Sequence, residues 1–248
     1  MVNDLLLLGG AAFGGGVMNA VAGGGSFLTF PALVYTGVPS VVANASSTVA
    51  LFPGSFASAW AYRQDFSRND GISFRGLLLA SLAGGLTGAL LLLFTPQRTF
   101  DVVIPWLLAL ATLVFAFGPY LAPRLRQLYR IGPATVLIGQ FLVSIYGGYF
   151  GGAVGILLLA LYSLFGMANI QKMNALKTLL SGCMNAVAVV CFVVAGKVLW
   201  RPTLVMLVCA VLGGYFGAHY ARKVKAVYIR VAIVCLSVVM TILFFRRA

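Results

Sequence analysis

The residues of this chain best suited to chemistry are hydrogen-bond donors set among apolar neighbours. Asn44, Ser47 and Thr48 form one such patch, and Asn174, Lys177 and Thr178 form another in the second half of the chain. Asn and Thr are i, i+4 in both patches and share a helix face. Ser47 adjoins that face in the first patch, and Lys177 takes its place in the second. Amide, hydroxyl and ammonium groups all donate hydrogen bonds, which the oxygens of a small oxyanion accept. Structural roles compete with this reading. The Asn and Thr side chains can satisfy broken backbone nearby, and a lysine near a helix start can extend its amine to the membrane interface.

A glycine-rich turn precedes each patch. Gly23-Gly24-Gly25-Ser26 separates the apolar runs Leu5 to Ala22 and Phe27 to Gly37, and Tyr149-Phe150-Gly151-Gly152 leads through Ala153-Val154 to Gly155. The run after each turn is about 11 residues, or roughly 16 Å of helix, half a hydrocarbon core. The spacing predicts short helices that start near mid-membrane, where their first N–H groups carry partial positive charge and can hold an anion. Ser26 can cap the first of these helices or touch a ligand. Glycines alone also serve tight helix packing. The candidate binding residues are Gly24, Gly25, Ser26, Asn44, Ser47, Thr48, Tyr149, Gly151, Gly152, Gly155, Asn174, Lys177 and Thr178. Asn19, Gln140 and Asn185 are polar within apolar runs and rank behind them.

The elements that must position these residues are membrane helices. The 248 residues are 61% apolar and only 8% charged, too little polar surface for a soluble protein of this size. The apolar stretches are continuous and do not alternate, so they read as helices of an all-α polytopic membrane protein and not as barrel strands. The net charge of +13 sits in short connections between apolar runs. That fits the positive-inside rule and gives no case for nucleic acid as a partner. Cys183, Cys191, Cys209 and Cys235 all lie inside apolar runs and read as packing residues. With one histidine, His219, they suggest no metal set, and no cofactor is implied. The expected partners are a small anionic substrate and the lipid bilayer, with a homo-oligomer left open. No removable signal peptide is expected, because the N-terminus lacks a basic region and a small-residue cleavage site.

Taken in order, the long runs are Val41 to Tyr62, interrupted by Pro53-Gly54, then Gly76 to Phe94 and Val102 to Gly118. After a basic linker the second half repeats this, with runs from Asn174 to Gly196, Thr203 to Ala221 and Val227 to Phe245. Asn44-Ala45 recurs as Asn174-Ala175, Thr48 as Thr178 and Gly25 as Gly155, all at a single offset. Gly84-Gly85 and Gly88 recur as Gly213-Gly214 and Gly217 at nearly the same offset. This indicates a duplication: a first membrane repeat over 1–118, a linker over 119–133 and a second repeat over 134–248. Five helical elements per half would invert the second half relative to the first, the plan of many secondary transporters. Ten basic residues, in Arg63–Arg75, Arg124–Arg130, Lys172 and Arg222–Lys225, then share a cytoplasmic face. The alternative joins each short pair into one broken span, giving eight spans and parallel halves.

Gly23-Gly24-Gly25-Ser26-Phe27-Leu28-Thr29-Phe30-Pro31-Ala32-Leu33, followed by Gly37-Val38-Pro39 and Ala43-Asn44-Ala45, resembles the first signature of the TauE/SafE sulfite-exporter family, also called the toluene-sulfonate uptake permeases. Gly147-Gly148-Tyr149-Phe150-Gly151-Gly152, with Asn174-Ala175-Leu176-Lys177 and Gly196, resembles the second. The resemblance covers nearly the whole chain. It departs at Ala153-Val154, where more glycine is expected. The resemblance implies a bacterial inner-membrane transporter of sulfite, sulfonates or related small anions.

Asp4, Asp65, Asp70 and Asp101, the only acids, fall at ends or in loops. Proton-carrying pumps usually place a carboxylate inside the membrane. Transport without a carboxylate relay is therefore expected. Export needs nothing more than the membrane potential, because an anion leaving an inside-negative cell gains about 2.3 kcal/mol per charge per 100 mV. An anion channel and a non-transporting scaffold are the rival readings. An enzyme is not expected, since no nucleophile–base pair stands out.

Overall fold

A computed structural model describes residues 2–21, 23–66, 71–128, 131–220 and 226–247. Ten α-helices follow one another among the described residues. They are α1 (Val2–Val21), α2 (Ser26–Tyr35), α3 (Ser40–Ala61), α4 (Phe74–Phe94), α5 (Gln97–Leu128), α6 (Pro133–Tyr149), α7 (Val154–Phe165), α8 (Ile170–Val194), α9 (Trp200–Tyr220) and α10 (Ala226–Arg247). A 3-10 turn at Arg63–Asp65 follows α3. No strand occurs among the described residues.

Among the described residues, four stretches within these helices are long and apolar enough to cross a membrane: Phe74–Phe94, Gln97–Gly118, Ile170–Val194 and Trp200–Gly217. Their outward faces carry large apolar side chains, among them Leu79, Phe94, Trp106, Val194 and Val208. Water would penalise such a surface, whereas hydrocarbon does not. Helix α3 is different. It is rich in Ser and Ala, and its Asn44, Ser46, Ser47, Ser55 and Ser58 are buried, so it belongs to the protein interior. It also runs unbroken through Pro53.

Two helices extend beyond their expected bounds. Helix α5 continues to Leu128, through a stretch that reads as linker. Leu121, Ala122, Arg124, Leu125 and Arg126 are good helix formers, and membrane helices tolerate proline where neighbours make good the lost bond. Helix α8 begins at Ile170, four residues before Asn174. The Asn169 side chain caps it by accepting from the N–H groups of Gln171 (2.9 Å) and Lys172 (3.2 Å). Lys177 therefore sits in the body of the helix and not at its start.

Glycine contacts bring the two halves together. Helix α1 packs along α9, where Gly16 lies against the backbone of Ala210 and Gly214, and Gly213 against Phe13. Helix α6 packs along α4 in the corresponding way: Gly88 lies against Ile145, Gly148 and Tyr149, and Gly84 against Phe141 and Ser144. Side chains at these glycines would force the backbones apart. Helices α3 and α8 meet at the centre, α3 also touching α9 and α8 touching α4. Each of these contacts becomes another of the set when the halves are exchanged.

Candidate functional site

Helices α2 and α7 are only 10 and 12 residues long, and their first turns meet at the centre of the molecule. A Cβ on Gly23 would strike the backbone of Gly155, and one on Gly151 would lie 3.5 Å from Ser26 Oγ. Irregular backbone at such depth persists only where protein buries it or a cavity adjoins it. Both conditions hold. A narrow cleft opens beside the two turns. Asn19 lines it from α1, Gly23 and Gly151 from the turns, and Ser26 from α2. Thr48, Leu51 and Ser55 line it from α3, and Val154 and Gly155 from α7. Lys177, Thr178, Ser181, Met184 and Asn185 line it from α8.

Lys177 dominates the electrostatics. Its side chain is 1% exposed, and its Nζ has no hydrogen-bond partner. Extension to the membrane interface does not occur. Among the described residues, the cleft lining contains no carboxylate and no second cation. An ammonium with no counter-charge at such depth costs several kcal/mol, of order 3–5 where a partner has been removed. A small anion within reach of Nζ would supply the missing charge.

The hydroxyls play a different part from the one expected. Thr48 Oγ1 donates to the Asn44 carbonyl (2.9 Å), and Thr178 Oγ1 donates to the Asn174 carbonyl (2.8 Å). Each spends its proton on its own helix and turns lone pairs outward, so neither donates to a ligand in this arrangement. Ser26 does not cap α2. Gly25 holds the N-cap position, and its N–H donates to Asn19 Oδ1 at 2.8 Å. The next amides, of Phe27 and Leu28, bond back to the carbonyls of Gly24 and Gly25 at 3.1 Å. The start of α2 is thus partly satisfied from within and is not an open row of donors.

Of the thirteen candidates, Ser26, Thr48, Gly151, Gly155, Lys177 and Thr178 line the cleft. The others lie outside its lining. Asn44 Nδ2 donates to the Tyr149 carbonyl at 2.9 Å, tying α3 to the second turn. Ser47 Oγ lies 2.6 Å from Thr29 Oγ1 and binds α3 to α2. Gly24 and Gly25 belong to the first turn, Gly152 packs against the Phe150 ring, and Asn174 Oδ1 is buried without a partner. Gln140 accepts from Tyr162 and donates to Ser81, a buried link between helices. Sequence reasoning missed Ser55 and Ser181 and ranked Asn19 and Asn185 too low as cleft residues. A signal was present: Lys177, Ser181 and Asn185 recur every four residues and share one helix face.

The turns share one feature that composition hides. Gly23 has φ +81° and Ala153 has φ +57°, so both turns contain a left-handed residue, in the second turn without glycine at that position. Ala153 is the N-cap of α7, whereas α2 is capped by the right-handed Gly25, so the two turns enter their helices differently. Among the described residues, no three of His, Cys, Asp and Glu cluster as a metal site would require.

Helices with apolar outer faces around a buried polar cleft define a multi-pass membrane protein. The chain belongs to the sulfite exporter TauE/SafE family, whose model matches residues 8–244. It is 33% identical over 247 residues to the probable membrane transporter protein YfcA of Escherichia coli K12, covering 97% of this chain and 90% of that one. A probable membrane transporter protein of Haemophilus influenzae is 29% identical, covering 97% and 94%. The probable membrane transporter protein ORF9 of a Sinorhizobium species is 28% identical, covering 94% and 88%. No solved structure matches the chain. The protein is accordingly a membrane transporter.

Proposed function

We propose that this protein moves sulfite, an organosulfonate or a related small sulfur-containing anion across the bacterial inner membrane, chiefly outward. One observation carries the reading: the unpartnered Nζ of Lys177 faces a cleft with no acid in its lining, beside the first turns of α2 and α7. Such a site suits a compact anion and disfavours cations. The family's printed description, a sulfite exporter, supports the substrate class. Alternating access would come from one half moving against the other about this cleft, the two halves being inverted repeats. The glycine-packed pairs α1–α9 and α4–α6 would then be the surfaces that slide.

The test is labelled sulfite or sulfonate flux in proteoliposomes. Saturable flux with counterflow is expected. Lys177→Met should reduce it by a factor of about 30 or more, the cost of losing a buried charge partner. Unchanged flux in that variant would sink the assignment, and flux without counterflow would make the protein a channel.

A further inference from the structure

We propose that the transported anion carries a proton with it, and that the proton rides on Nζ of Lys177. This rests on the anion-binding reading above and goes beyond it. Among the described residues, none in the cleft lining supplies a charge to balance Lys177. Its Nζ is without a partner, and the cleft is lined otherwise by neutral residues. An anion in the cleft is the balancing charge. Proton and anion therefore each favour the other's binding, and the linkage is reciprocal.

The step balances simply. The neutral amine takes a proton from water on the side where the anion enters, forming an ammonium–anion pair. The proton returns to water on the other side when the anion leaves. No bond to carbon changes and no electron moves.

Among the described residues, no other titratable group lines the cleft. Helix α3 carries no titratable side chain. The remaining elements packed on α8 bring Asp4 from α1, Arg75 from α4, Tyr146 and Tyr149 from α6, Tyr162 from α7, and Arg63 and Asp65 from the 3-10 turn. Helix α8 itself adds Lys172, Cys183 and Cys191. None of these lines the cleft. A monovalent anion would thus cross as a neutral pair, driven by its own concentration gradient and the pH gradient and not by voltage. Accumulation inside the cell beyond the factor set by the pH gradient then sends it outward.

The experiment uses methanesulfonate and toluenesulfonate, which are fully ionised and bring no proton of their own. In proteoliposomes with an internal pH dye, a sulfonate gradient should drive about one proton per anion, and an imposed voltage should leave the flux unchanged. Lys177→Arg keeps a permanent charge, so any flux it retains should become proton-free and voltage-sensitive. Calorimetry of the wild-type protein in buffers of different ionisation heat gives a second measure that needs no variant, and proton uptake should accompany sulfonate binding. Sulfonate movement with no proton flux and no buffer dependence would overturn the proposal and leave the anion site standing. Neither sulfonate binding nor moving would overturn the anion reading, and this inference with it.

Discussion

Lys177 carries a long, flexible amine held at 1% exposure with no hydrogen-bond partner among the described residues. Removing a buried amine that has no partner removes its desolvation cost, and an apolar side chain of similar size packs in its place. Lys177→Met should therefore melt no lower than wild type in detergent without ligand, yet lose the thermal shift that a sulfonate produces. A drop in melting temperature, or a retained shift, would show that the lysine holds the fold and not the ligand. Asn44 should behave in the opposite way. Its amide is spent on the Tyr149 carbonyl, outside the cleft lining. Asn44→Ala should cost about 1 kcal/mol of stability, one hydrogen bond's worth. The KM for the anion should stay unchanged, as saturation curves on reconstituted protein would reveal.

At the scale of the element, the two turns look alike but differ in what they tolerate. Both place a residue at positive φ, Gly23 in one and Ala153 in the other. Gly23 faces the backbone of Gly155, where a methyl group has no room. Gly23→Ala adds this clash to left-handed strain of about 1–2 kcal/mol, and it should abolish both folded yield and flux. In Ala153→Gly, relief of the left-handed strain is offset by the loss of a buried methyl and by greater freedom of the unfolded chain. It should change stability by less than about 1 kcal/mol and leave flux intact. Size-exclusion profiles and initial rates of the pair would test this. A Gly23→Ala protein that is folded and active would mean the turns stand further apart than the structure places them.

At the scale of the whole molecule, the cleft draws its polar lining from both halves of the chain. The acids stay away from it: Asp4, Asp65 and Asp101 are absent from the cleft lining, and Asp70 lies outside the described residues. Asp101 instead accepts from Ser40 and Gln97, where α3 begins and α5 starts. Changing each of Asp4, Asp65 and Asp101 to Asn should leave sulfonate flux within about twofold, the range of substitutions remote from a site. Loss of flux from any one would reveal a carboxylate relay.

The membrane class, the helical backbone, the short helices and the recurrence of Asn, Thr and glycine motifs were all legible in the chain, because they follow from hydropathy, length and spacing, which are local. Where α8 starts was less legible: it depends on Asn169 reaching two amides, and that displaces Lys177 from the membrane edge. The donors could be recognised by type, but their allegiance could not. Asn44 and Ser47 are spent on the contacts of α3 with the second turn and α2, Thr48 and Thr178 on their own carbonyls, while Ser55, Ser181 and Asn185 face the cleft. A hydrogen-bonding group takes whichever partner comes within about 3 Å. Which partner that is depends on how α2, α3, α7 and α8 meet, and no single segment of the chain encodes that meeting.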